Sequence, residues 1–286
     1  MFKYPTCVIA GEMLDANCTA ELTHAIRGRS AVCGVTSLGD RVYVVRDYRT
    51  EIEVYDVNSM ALQQRLPVPK LSRASGIAAC PRYSCLYVSD WDTVSVHRVD
   101  LTRPNAAKNW SVARVPESLS VNSTHNVLVS CLVTNKLQEY TTLGDLVKEV
   151  CLGTGATGPC YAIQLTSGDY VVSQYTSPGA VSLVGPDGQV LRSFGQSSPQ
   201  QGVKVEAMKY PVSLALNRTG DILVTDRGNN RILAVDSTLS RAQEFPINVA
   251  LKRPYALWND DARDRLYVGE MRGQRRLLVF SICWKQ

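Results

Sequence analysis

The sequence contains no run of about 18 apolar residues, so no segment reads as a membrane-spanning helix. It is poor in histidine: only His24, His97 and His125 occur, far apart, and there is no Cys-x-x-Cys. Structural zinc needs clustered Cys and His, so no metal or other cofactor is expected. Histidines this scattered place no Ser-His-Asp or Cys-His arrangement, which argues against nucleophilic hydrolysis. Glycine (19) and proline (13) stand near average usage, which sets aside collagen-like and disordered chains. A large excess of one charge is also missing: 31 Lys and Arg against 26 Asp and Glu leave +5. Met1 to Gly11 carry Lys3 and a short apolar run broken by Pro5, a poor secretory signal. Nine cysteines (7, 18, 33, 80, 85, 131, 151, 160, 283) are an odd set. Without a leader they suggest reduced thiols in the cytoplasm. Cys80 and Cys85 flank a turn where a hairpin disulfide is conceivable in a secreted protein, but free thiols are expected. Four Asn-x-Ser/Thr patterns (Asn17, Asn109, Asn122, Asn217) are a weak vote for secretion.

What is present is a repeat. Short apolar phrases ending in a small or polar residue recur as Val44–Asp47, Tyr87–Asp90, Leu128–Cys131, Val171–Gln174, Leu223–Asp226 and Tyr267–Glu270. Their period is roughly 41 to 44 residues with one longer step of about 52, the range of a four-stranded propeller blade. A strand with small residues precedes each phrase (Gly34–Thr36, Ile77–Ala79, Leu119–Val121, Ala162–Gln164, Leu214–Leu216, Ala256–Trp258), and an alternating strand follows. Ser37–Asp40, Ser167–Asp169 and Arg218–Asp221 supply turn residues between the first two strands. Six units predict an all-β fold, a six-bladed β-propeller of four-stranded antiparallel blades, as a single domain over 1–286. The last unit lacks a fourth strand. Leu22–Ile26, within about 21–28 and after a lead-in over 1–20, is the candidate to supply it and remove the open edges.

Blade five reads Tyr210–Leu216, Gly220–Asp226, Asn229–Asp236. It resembles an NHL repeat, the blade type of the C-terminal domain of tripartite-motif NHL proteins. The acidic position is kept at Asp47, Asp90 and Glu270 and replaced at Cys131 and Gln174. The resemblance implies that Asp226 and Arg231 form a structural, turn-fixing ion pair. It also implies likeness to the substrate- or RNA-binding end of such proteins, since neither a RING nor a B-box zinc pattern occurs.

In a propeller, the loops joining strands two and three share a face with those joining strand four to the next blade. Here those loops sum to roughly +6, slightly more than the whole chain's +5. Lys70, Arg73, Arg227, Lys252, Arg253, Arg272, Arg275 and Arg276 form a basic sector over blades five, six, one and two; loops of blades three and four are neutral. Tyr48, Trp91, Tyr175, Tyr210 and Tyr255 add aromatics to the same face. Arg beside Tyr or Trp suits a protein-binding hot spot, and alternatively single-stranded RNA. The polar insertion Gln196–Glu206 opens toward this face. The expectation is a non-enzymatic, monomeric scaffold for a protein or peptide ligand that does not engage membranes, with RNA second. Third is a metal-dependent hydrolase like the calcium-dependent lactonase propellers. Such a site needs carboxylates in the central channel, and the inner strands offer Thr36, Ser120 and Gln164 but no acid.

Overall fold

Small residues at the start of each repeat let six strands converge on one axis. A Cβ on Gly34 would stand 2.7 Å from the Ile77 backbone nitrogen of the next blade, so only glycine fits that approach. The computed structural model describes residues 18–103, 107–195 and 206–284, and in it six four-stranded antiparallel sheets form the ring. Blade one is β2 (Val32–Leu38), β3 (Arg41–Arg46), β4 (Glu51–Asp56) and β5 (Leu62–Pro67). Blade two is β6 (Ala74–Cys80), β7 (Cys85–Asp90), β8 (Ser95–Asp100) and β9 (Lys108–Ser111). Blade three is β10 (Ser118–Val121), β11 (Val127–Cys131), β12 (Lys136–Tyr140) and β13 (Leu146–Cys151). Blade four is β14 (Pro159–Gln164), β15 (Tyr170–Gln174), β16 (Ala180–Val184) and β17 (Val190–Phe194). Blade five is β18 (Pro211–Leu216), β19 (Ile222–Asp226), β20 (Arg231–Val235) and β21 (Ala242–Glu244).

Blade six joins both parts of the chain: β22 (Pro254–Asp260), β23 (Arg265–Glu270) and β24 (Leu277–Trp284) are completed by β1 (Cys18–Ile26). The closing strand is the expected one, lengthened at its start. Cys18 lies opposite Trp284 and Ile26 opposite Leu277. Residues 1–17 and the insertion at 196–205 lie outside the described residues.

Strand two of each blade is sandwiched by its neighbours, which is why it reads as a continuous apolar run. Between blades one and two, Val45, Ile52 and Val54 pack with Ile77, Leu86 and Val88. The other five inter-blade spaces are filled the same way. Each fully buried Val or Leu contributes about 1.5–3 kcal/mol. Hydroxyls then pin inner strands together. Ser75 donates to Pro116 O (2.8 Å), Ser118 to Cys160 O (2.7 Å) and Ser120 to Ala162 O (2.8 Å).

Two of the glycosylation patterns have a structural cause. Asn122 and Asn217 are buried, and each Oδ1 accepts from the threonine two residues on and from the backbone N–H four residues on. The Asn-x-Thr pattern is thus the chemistry of an Asx turn joining strands one and two. Cys80 and Cys85 face each other across the hairpin as free, buried thiols. No helix among the described residues is long and apolar enough to cross a membrane.

Candidate functional site

The last residue of strand two anchors the loop that enters its blade. In blade five, Asp226 accepts from Lys209 N (2.8 Å) and from Arg231 Nε (2.8 Å), the ion pair that the NHL resemblance implies. In blade six, Glu270 accepts from Lys252 N (2.8 Å) and is held twice by Arg276 at 2.7 Å. Asp90 of blade two accepts from Ser72 N and Arg73 N, with His97 Nε2 at 3.3 Å. Burial opposes the Asp90 charge, yet those N–H donors hold its carboxyl below the usual range.

Blade one departs from the expectation. Its strand ends on Arg46, not on the acid of Asp47, and the charges are reversed. Arg46 donates to Glu53 (2.7 Å) and to Ser30 O (2.9 Å). Asp47 is left free to take Arg73 (2.9 Å). Blades three and four do the same work without charge. Cys131 and Gln138 contact Arg114 O and Ala113 N, and Gln174 holds Gly155 O (3.1 Å) and Ser182 (2.6 Å).

Two arginine–aromatic clusters stand on the loop face. Arg73 lies over Tyr48 (4.4 Å) and Trp91 (5.5 Å). Arg227 lies over Tyr175 (5.4 Å), donates to its hydroxyl, and leaves its buried Nε without a partner. Tyr175 in turn packs on Tyr210 at 5.3 Å. Tyr48, Lys70, Tyr210, Arg253 and Arg275 hold φ of 56°, 65°, 54°, 52° and 50°. That region suits Gly or Asn, and bulky residues held there cost about 1 kcal/mol or more each.

The sequence-predicted basic sector is only partly available. Arg73 and Arg276 are committed to Asp47 and Glu270. Arg253 N donates to Asn230 Oδ1 (2.8 Å), and Arg275 donates from its guanidinium to Arg29 O. Lys70, Lys252 and Arg272 are exposed and have no ion pair among the described residues.

Tyr255 is not a loop-face aromatic. It belongs to a ring that sequence reasoning missed: Cys33, Ser75, Glu117, Cys160, Val212 and Tyr255, one residue per blade and one repeat apart, all lining the central channel. Glu117 stands just ahead of β10, its N–H bonded to Ser130 O (2.9 Å). The expectation that no carboxylate enters the channel is therefore overturned. It rests on the inner strands alone and passes over the residue that leads into each, for which the repeat register was the available signal.

Blades three and six are opposite each other, and Tyr255 reaches across the axis to donate to Glu117 Oε1 (3.0 Å). Glu117 Oε2 is shut off from solvent with no partner. Burial raises the Glu117 carboxyl pKa, outweighing the Tyr255 hydrogen bond and the positive charge of Arg73 and Arg227. Burial also raises the Cys160 thiol and the Tyr255 hydroxyl, with the Glu117 charge adding to both. About 20 Å³ remains free beside this ring, room for one or two waters. Among the described residues, no three His, Cys, Asp or Glu side chains group as metal ligands.

The NHL-repeat family model matches residues 208–234, most of the inner part of blade five. That match is confined to one blade and does not bear on the likeness to tripartite-motif proteins. No curated protein matches the sequence. Solved structures match the fold. A catalytically inactive virginiamycin B lyase from Staphylococcus aureus with quinupristin is similar at TM-score 0.64 and 15% identity, over 89% of this chain and 82% of that one. Kuenenia stuttgartiensis hydrazine synthase is similar at TM-score 0.63 and 13% identity, over 90% and 97%. A Bacteroides thetaiotaomicron protein of unknown function reaches TM-score 0.69 at 13% identity, over 89% and 70%. At such identities the likeness is one of fold and carries no catalytic residue across. The chain is an all-β, six-bladed β-propeller that carries an NHL repeat in its fifth blade.

Proposed function

We propose that the chain is a non-catalytic recognition module whose basic loop face binds an acidic segment of a protein ligand. The observation that carries this reading is the pair of arginine–aromatic clusters, Arg73 with Tyr48 and Trp91, Arg227 with Tyr175 and Tyr210. Their arginines lie near enough to act on Glu117 of the axial ring, where the free space holds little more than water. Small-molecule sites enclose a few hundred Å³, so a substrate of that size suits this space poorly. Lys70, Lys252 and Arg272 supply attraction at range, and the preordered arginines supply contacts at low entropic cost. The aromatics are already stacked on arginines or on each other, leaving Tyr48 (67% exposed) and Tyr210 (41%) as the open rings. That supports a protein ligand over successive stacked bases.

The test is fluorescence anisotropy with a labelled glutamate-rich peptide, its glutamine counterpart and a randomised single-stranded RNA. The expected result is saturable, salt-sensitive binding of the acidic peptide, lost in the Lys70→Glu, Lys252→Glu, Arg272→Glu triple variant with the fold intact by circular dichroism. Retained binding in that variant removes the face from consideration. Preference for the RNA would replace the protein ligand.

A further inference from the structure

Glu117 is the one carboxylate of the axial ring, where Tyr255 reaches it from the opposite blade. Its ring neighbours are Cys33, Ser75, Cys160, Val212 and Tyr255. The ring hydrogen bond uses Oε1 alone, while Oε2 is buried with nothing to bond. A buried polar atom without a partner costs about 1–3 kcal/mol, and such an atom calls for an explanation. The free space beside it is about 20 Å³, which admits the tip of one side chain and excludes a base, a sugar or a cofactor.

The sign of that tip follows from the surroundings. The charged groups acting on Glu117 are Arg73 and Arg227, entering from blades two and five. Cys33, Cys160 and Tyr255 face it from blades one, four and six, and burial raises the pKa of all three, leaving them neutral. A cationic tip would have to pass two arginines and the basic rim. An anionic tip is drawn in chiefly by Arg227, since Arg73 is already paired with Asp47, provided Glu117 itself carries a proton. Burial favours that protonated form, and a carboxylic acid facing a carboxylate makes a short, charge-assisted O–H···O⁻ bond.

We propose that the axial pocket at Glu117 and Tyr255 receives the carboxylate of one Glu or Asp side chain of the protein ligand. Glu117 Oε2 donates its proton to that carboxylate while Tyr255 donates to Oε1. The inference rests on the loop face being the binding surface. Because the donor is an acid, binding is proton-linked. It is strongest where Glu117 is protonated and weakens as pH rises through its pKa, by up to about tenfold per pH unit for one linked proton. His97 is buried beside Asp90, and burial lowers its pKa, so it stays neutral over the alkaline limb.

The probe is a short glutamate peptide, acetylated and amidated so that only side chains carry charge, titrated by anisotropy from about pH 5.5 to about pH 8.5. Wild type should lose affinity toward alkaline pH. Glu117→Gln, whose amide donates at every pH, should match wild type at the acid end and show no loss. Tyr255→Phe, which removes a donor that favours the charged form, should move the fall to higher pH. A wild-type pH profile in Glu117→Gln, or loss of its binding at acid pH, overturns the pocket assignment. So does the same profile with the glutamine peptide. Binding that the Lys70, Lys252, Arg272 reversal abolishes but Glu117→Gln leaves unchanged sinks this inference alone; no binding of the acidic peptide by wild type sinks both.

Discussion

Blades six and four solve one structural problem with different chemistry. Both must hold the loop that arrives from the preceding blade. Blade six does so with Glu270, fully buried and clasped twice by Arg276. Blade four does so with Gln174, whose amide supplies a donor to Gly155 O and an acceptor to Thr157 N. The position therefore selects for hydrogen-bonding capacity at the end of strand two, and charge is one way to provide it. Blade one makes the same point by reversing the signs at Arg46 and Glu53. What differs is the cost of failure, since an amide left alone loses hydrogen bonds, while Arg276 left alone is a part-buried charge.

That difference is measurable in urea unfolding. Glu270→Ala strands Arg276 and the Lys252 N–H, and should cost about 3–5 kcal/mol. Gln174→Ala should cost less, about 1–3 kcal/mol. Equal losses in the two would show that the ion pair adds nothing to the shared anchoring role.

Glu117 tests whether the axial ring resembles either. Its folded pKa is raised, so the folded state binds the proton more tightly than the unfolded one. The cost of ionising it is absent below the unfolded pKa and fully present above the folded one. Glu117→Gln should therefore stabilise the protein at alkaline pH by about 1–2 kcal/mol and change little in acid. Destabilisation by that variant at every pH would make Glu117 a structural anchor like Glu270.

Asp90 should show the opposite slope. Its folded pKa is lowered, so its contribution is present above the unfolded pKa and fades as pH falls through the folded one. In Asp90→Asn the acid-side loss of melting temperature should shrink by an amount corresponding to about 1 kcal/mol. An unchanged acid limb would assign the loss to other carboxylates such as Asp236, which its Ser240 and Thr238 partners hold low against burial.

The fold was legible because each strand two is buried on both faces and so writes a periodic apolar phrase. The ring of small inner residues was legible for a similar reason, since crowding at the axis leaves few alternatives. The site was less so. Sequence alone points to Asp47 as the anchor of blade one because register from a single sequence is uncertain by one residue. The strand ends on Arg46, one residue before the acid, and a slip of one residue moves a side chain to the other face. Charges on loops could be counted, but not their commitments. Arg276 follows Glu270 by six residues, a local pairing like that of Asp226 with Arg231, but Arg73 takes Asp47 of another blade, and no local pattern announces that. Glu117 and Tyr255 are 138 residues apart, and only the closed ring brings them across the axis.

The seam in blade six has a consequence for how the molecule is made. Ribosomal synthesis delivers β1 first, but its partner β24 is the last strand to emerge. Until then the earliest segment waits with an unpaired edge while five blades stack behind it. Edges of that kind invite pairing with other chains, and pairings distant in sequence form slowly. Completion of the circle thus requires both β1 and β24, and a product that stops short of β24 would carry an open strand edge accessible to chaperones.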